Sequence, residues 1–137
     1  MRFYHYAVLV LSLFFACAEP KLDAQIAEIE SRDSLIMHLH DEVMPNISKV
    51  LSLRKRIQHT IDSFALPNQL AHLQQVSFAL TKADADMMNW MRSYQIPMKS
   101  DTAIAYLIAQ ETEITRISNA IYESIRLADS TLNNMQP

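Results

Sequence analysis

Through three successive stretches of this chain, apolar residues recur alternately four and three positions apart. That spacing matches one regular structure, an α-helix that buries a single stripe. The first ladder is Leu22, Ile26, Ile29, Ile36, Val43, Ile47, Val50, Ile57, Ile61 and Phe64, interrupted by Asp33, His40 and Arg54. The second runs Leu70, Leu73, Val76, Leu80, Ala83, Met87, Trp90 and Tyr94. The third has Ile104, Leu107, Ile114, Ile121, Ile125, Ala128 and Leu132, with Glu111 and Ser118 as polar interruptions. Alternation with period two is absent over any useful length, so the fold class is all-α.

Proline marks the ends of these ladders. Leu66-Pro67-Asn68 closes the first helix and offers Asn68 as a cap for the second; Ile96-Pro97 closes the second, and Ser100 or Asp101 is placed to cap the third. Short connections make sequential helices antiparallel neighbours, which predicts an up-down-up three-helix bundle with helices over about 21–64, 69–95 and 101–133. Pro45 falls inside the first ladder, where it removes a backbone donor and crowds the carbonyl of Asp41. No glycine flanks it, so a kink in one continuous helix is expected rather than a reversal.

Counting outward from the turns gives a register. Folding about Leu66 sets Met87 near Pro45, Met91 near Asp41 and Tyr94 near His38, so His38 to Pro45 should face Met87 to Tyr94. Folding about Pro97 or Met98 sets Met91 near Ile104 and Met87 near Ile108. On that count Leu22 to Ile36 overhang the second turn by a length on the order of 20 Å. Leu22, Ile26, Ile29 and Ile36 would then form a bare apolar stripe, a surface that a second copy or another helical protein would cover.

Glycine is absent from all 137 residues, against a usual share of about 7%. Phosphate-cradling loops, dinucleotide turns, calcium loops and the nucleophile elbow all need glycine where the backbone turns left-handed or approaches a ligand closely. None can be built here in its usual form. Catalysis by carboxylates would need Asp41, Glu42, Asp84, Asp86 or Glu111 in a water-poor cleft, and a slim bundle offers little concave volume. The chain is not expected to be an enzyme, and no cofactor is expected.

The N-terminus carries an address. Arg2 supplies a positive start, Ala7 to Ala16 is apolar apart from Ser12, and polar sequence begins at Glu19. Phe14, Phe15 and Ala16 precede Cys17, which is the only cysteine in the chain. This layout resembles the lipobox of bacterial lipoproteins. The resemblance implies a signal peptide over residues 1–16, lipid attachment at Cys17, a short tether over 17–20 and a helical body over 21–137, with an ordinary cleaved signal as the alternative. It implies palmitate-type acyl chains holding the protein in the cell envelope. Ala18 and Glu19 do not resemble an inner-membrane retention signal, which favours the outer membrane without choosing between its two faces. After cleavage the chain has 11 basic and 15 acidic residues, a balance that argues against nucleic acid as a partner.

The densest chemistry lies in two facing segments, His38 to Pro45 and Asp84 to Met91, which contain the runs His40-Asp41-Glu42-Val43-Met44-Pro45 and Met87-Met88-Asn89-Trp90-Met91. They resemble matching segments in small uncharacterised lipoproteins of Bacteroidetes, some of which carry a viral A-type inclusion protein label that reflects generic coiled-coil similarity. The resemblance implies a helical envelope lipoprotein and supplies no activity.

A metal-binding role is the rival expectation for this region. His38 and Glu42 lie four apart and share a helix face, whereas His38 and His40 stand roughly 200° apart around the axis. Histidine with Met87, Met91, Met44 or Met98 would suit cuprous copper. Methionine at heptad spacing is more often plastic core filling, and Trp90 an anchor. A hydrogen bond from the His40 imidazole to Tyr94 or to a carboxylate would explain a polar residue on the seam without any ligand. The favoured expectation is a lipid-anchored structural or adaptor protein; an envelope copper- or zinc-binding protein using His38, Glu42, Met87 and Met91 is the alternative.

Overall fold

The computed structural model describes residues 19–64, 66–96 and 102–135. The signal segment and Cys17 lie outside them. Among the described residues the chain is all-α: α1 spans Glu19–Val43, α2 Asn46–Phe64, α3 Pro67–Ser93 and α4 Ala103–Asn134. No described residue has a positive φ, in keeping with a chain that contains no glycine.

Pro45 interrupts the regular hydrogen bonding of the first helix. Met44 N–H still bonds His40 C=O at 2.9 Å, closing the last turn of α1, and Ile47 N–H reaches back to Met44 C=O at 3.1 Å to open α2. Between them Pro45 has no N–H to give, so regular helix stops for two residues. The expected single helix over 21–64 is therefore two.

The turn at Leu66-Pro67 is capped differently from expectation. Leu66 in extended conformation, not Asn68, holds the N-cap position of α3, and Pro67 occupies the first helical position, where a missing donor costs nothing. The Gln69 side chain closes the end by accepting Leu66 N–H at 3.3 Å. At the far end of α3, Tyr94 N–H bonds Trp90 C=O at 2.8 Å and the backbone leaves the helix in extended conformation. Ser100 and Asp101 lie outside the described residues; Thr102 is the N-cap of α4.

Helix α4 is the hub of the core, since it packs against α1, α2 and α3, while α3 packs mainly on α2 and α4. Three-sided packing demands a broad buried face. Besides the ladder residues Leu107, Ile114, Ile121, Ile125, Ala128 and Leu132, α4 also buries Ile117, Ser118, Ser124 and Thr131. Small residues here let neighbouring helices approach. Ser124 Oγ donates to Ile121 C=O at 2.9 Å, and Thr131 Oγ1 lies 3.0 Å from His72 Nε2, so neither hydroxyl is stranded. Val43, Val50, Leu53 and Ile57 on the first arm and Leu73, Val76, Leu80 and Met87 on α3 complete the core.

Cross-helix pairs give the register. Arg54–Asp84, His40–Met91 and Asp33–Tyr94 run in opposite chain order, whereas Arg32–Glu111 and Lys49–Asp129 run in the same order. On the other side of α3, Trp90 pairs with Gln110 and Asp86 with Arg116. Folding about Pro97 or Met98 predicts Met91 near Ile104; the observed pairs place α4 about five to seven residues, roughly one and a half to two turns, further along.

That displacement removes the overhang. Helix α4 begins alongside the N-terminal part of α1, with Arg32 bound to Glu111 at 3.1 Å, so Ile29 and Ile36 are buried in the core. Ile26 is half-buried, and only Leu22, at 55% exposure, remains open. The expected interaction stripe of Leu22, Ile26, Ile29 and Ile36 is thus mostly intramolecular core.

Candidate functional site

Asp33 and His40, two of the polar interruptions of the first ladder, meet the end of α3 near the start of α4. His40 is the centre of this cluster. Its Nδ1 lies 2.8 Å from Asp41 Oδ1 and its Nε2 lies 3.2 Å from Met91 Sδ. The imidazole also packs on Trp90, with ring centroids 5.8 Å apart and planes tilted by 31°. The segment from His38 to Pro45 does face Met87 to Tyr94, and His40 does find a carboxylate, as the sequence suggested.

Aromatic rings extend the cluster toward the second turn. Trp90 stacks on Tyr94 at 4.9 Å and Tyr94 on Tyr106 at 6.3 Å, a spacing typical of favourable ring pairs. Each ring's polar atom is used: Trp90 Nε1–H donates to Gln110 Oε1 at 2.9 Å, Tyr94 O–H donates to Asp33, and Tyr106 Oη accepts Gln95 N–H at 3.0 Å. Burial pushes the Tyr94 phenol above its ordinary range, and the Asp33 carboxylate that accepts its proton pushes it further. Asp33 is therefore a partner within the chain, where sequence reasoning put it on a bare stripe.

The expected metal residues do not come together. His38 and Glu42 are exposed, Met87 is fully buried in the core, and Met91 is half-buried against it beside His40. Among the described residues no three His, Cys, Asp or Glu side chains gather where they could hold a metal ion. Met98 lies outside the described residues. His40, expected on the seam but not among the metal residues, is the histidine that meets Met91, and its place on the apolar ladder is the signal that it points toward α3.

A second polar seam runs along the other face of α3. Lys82 Nζ reaches Asp86 Oδ2 at 2.7 Å, and Arg116 bridges Asp86 at 3.1 Å and Glu113 at 2.7 Å. Burial opposes charge on Asp86, yet hydrogen bonds from Lys82 and Arg116 outweigh it and hold the carboxyl below its ordinary range. Arg116 likewise lowers Glu113, and both carboxylates raise Arg116. A carboxylate so stabilised is a poor proton donor. The other carboxylates considered for acid-base work are Asp84, set 3.7 Å from Arg54, Glu111, paired with Arg32, and the exposed Asp41 and Glu42.

Two open grooves flank this seam. One of about 290 Å³ is floored by Ala79, Ala83, Ala120, Ser124 and Leu127; the other, of about 330 Å³, lies over Trp90 and Gln110. No described helix is long and apolar enough to cross a membrane. Comparison with family models, with curated proteins and with solved structures finds no match for this chain.

Proposed function

We propose that this chain is a lipid-anchored protein of the cell envelope, outer membrane favoured, that acts as a structural or adaptor component through protein contacts rather than as an enzyme. The single observation that carries the reading is the position of Cys17, at the end of an apolar run opened by Arg2 and followed at once by polar sequence. Two or more acyl chains on that residue would anchor the protein stably.

The finer architecture belongs to the same reading. We take α1 and α2 as one broken arm, α3 as the return and α4 as the second ascent, an antiparallel up-down-up three-helix bundle. The opposite order of the α3 pairings and the like order of those between the first arm and α4 support it. Large apolar side chains left on its outside, among them Phe78 at 68% exposure, are the contact points for a second copy or another helical envelope protein.

Labelling cells that express the full chain with an alkyne fatty acid tests the anchor. Incorporation should occur in wild type and vanish in Cys17→Ala, and an inhibitor of the lipoprotein signal peptidase should leave a labelled precursor that still carries residues 1–16. An unlabelled wild-type protein that fractionates away from membranes would overturn the assignment.

A further inference from the structure

We propose that His40, Met91 and Met44 form a binding site for a soft monovalent metal ion, Cu(I) in the first instance, with Trp90 packed against the histidine. The reasoning begins with the hydrogen on the imidazole. An ionised carboxylate only accepts, so the 2.8 Å contact with Asp41 places a proton on Nδ1. In the neutral ring Nε2 is then a bare lone pair, and it is aimed at Met91 Sδ, itself an acceptor, 3.2 Å away. Two electron-pair donors turned toward one another across a helix interface are the arrangement a cation resolves.

The chemistry of the donors selects the ion. A thioether and an imidazole suit Cu(I) and offer little to hard divalent cations, which prefer oxygen. Metal bonds of about 2.0 Å to nitrogen and about 2.3 Å to sulfur, at a tetrahedral angle, set two ligand atoms about 3.5 Å apart. The observed pair needs to open by only a few tenths of an ångström.

The surroundings fit. Asp41 orients His40 through the ring nitrogen that does not face the sulfur, the arrangement that accompanies most metal-bound histidines. Met44 stands one turn along from His40, held there by its N–H bond to the His40 carbonyl, and is half-buried against the core. Four residues beyond His40, it is the next thioether along the chain and the third donor of the proposed site. Trp90 packs on the imidazole with ring centroids 5.8 Å apart, close enough for its emission to sense a change at His40. His38 and Glu42, being exposed, take no part.

The test uses the purified full-length protein and two probes: Ag(I) nitrate in chloride-free buffer, and Cu(I) held under anaerobic competition with a chromogenic chelator. Trp90 is the only tryptophan, so its emission reads the site directly. We expect saturable quenching at one equivalent, with Met91→Leu, Met44→Leu and His40→Gln each weakening binding by about tenfold or more, and Asp41→Asn by about tenfold. His38→Gln should titrate like wild type. Leucine conserves the volume of methionine, so the two Leu variants keep their fold even if His40→Gln does not. An imidazolium donating Nε2–H to Met91 would satisfy the same contact. In that case neither ion changes Trp90 emission at micromolar concentration, or the Leu variants bind as wild type does, and the site is refuted.

Discussion

The Tyr94 hydroxyl donates to the Asp33 carboxylate, tying the last turn of contact on α3 to the middle of α1 across 61 positions of chain. A charged acceptor makes this a strong bond, and it sits where the aromatic column of Trp90, Tyr94 and Tyr106 meets the first arm.

Tyr94→Phe should therefore destabilise the fold by about 1–2 kcal/mol, the usual cost of depriving a partly buried carboxylate of its donor. The variant should also change the alkaline limb. Tyr94 is raised by burial and by Asp33, so the folded protein keeps a proton that the unfolded chain releases above about pH 10. Wild-type stability should fall as pH rises from there, and Tyr94→Phe should fall less steeply. Urea titrations between pH 8 and 11 measure both effects.

Acid should act through the other seam. Asp86 and Glu113 have lowered pKa values when folded, so their contribution is present above the unfolded carboxylate range near pH 4 and is lost as pH drops through the folded values. Asp86→Asn should cost about 0.5–1 kcal/mol at neutral pH and low salt, as expected for a largely open ion network. It should also flatten the thermal unfolding profile below pH 4, and added salt should shrink the difference.

Ile36 and Leu22 were neighbours on one sequence ladder, but only Ile36 is fully buried. Ile36→Ala should cost about 2–5 kcal/mol, whereas Leu22→Ala should stay within about 0.5 kcal/mol. Sedimentation of both variants checks the correction: an Ile36→Ala protein of unchanged stability but altered oligomeric state would restore the bare-stripe reading.

Ser124 is 4% exposed on the broad face of α4. Ser124→Leu should destabilise by about 1–3 kcal/mol through overpacking, despite the better helix propensity of leucine. Circular dichroism melts read the change.

Which residues fill the core was largely legible, because burial follows helical period: Val43, Leu80, Met87, Ile114 and Ile121 all sit where the ladders put them. Periodicity describes one stripe per helix, however, and so it missed Ile117, Ser124 and Thr131, which are buried because α4 is surrounded on three sides. Turn length is not written in any period. An extended Tyr94 and a helix that resumes only at Ala103 shift α4 along its neighbours, and that single displacement turned Ile29 and Ile36 from surface into interior. At the candidate site the i,i+4 spacing drew attention to His38 and Glu42. The ladder position of His40 was the better guide, since facing another helix matters more to a side chain's chemistry than the company it keeps along its own.

Because α4 is the element that every other helix leans on, and it comes last in the chain, the three earlier helices emerge from synthesis without the partner that closes their interior. The complete core closes only once the 32 residues of α4 are present, a dependence on contacts far apart in sequence. If the chain is exported as proposed, late closure would keep it pliable during its passage.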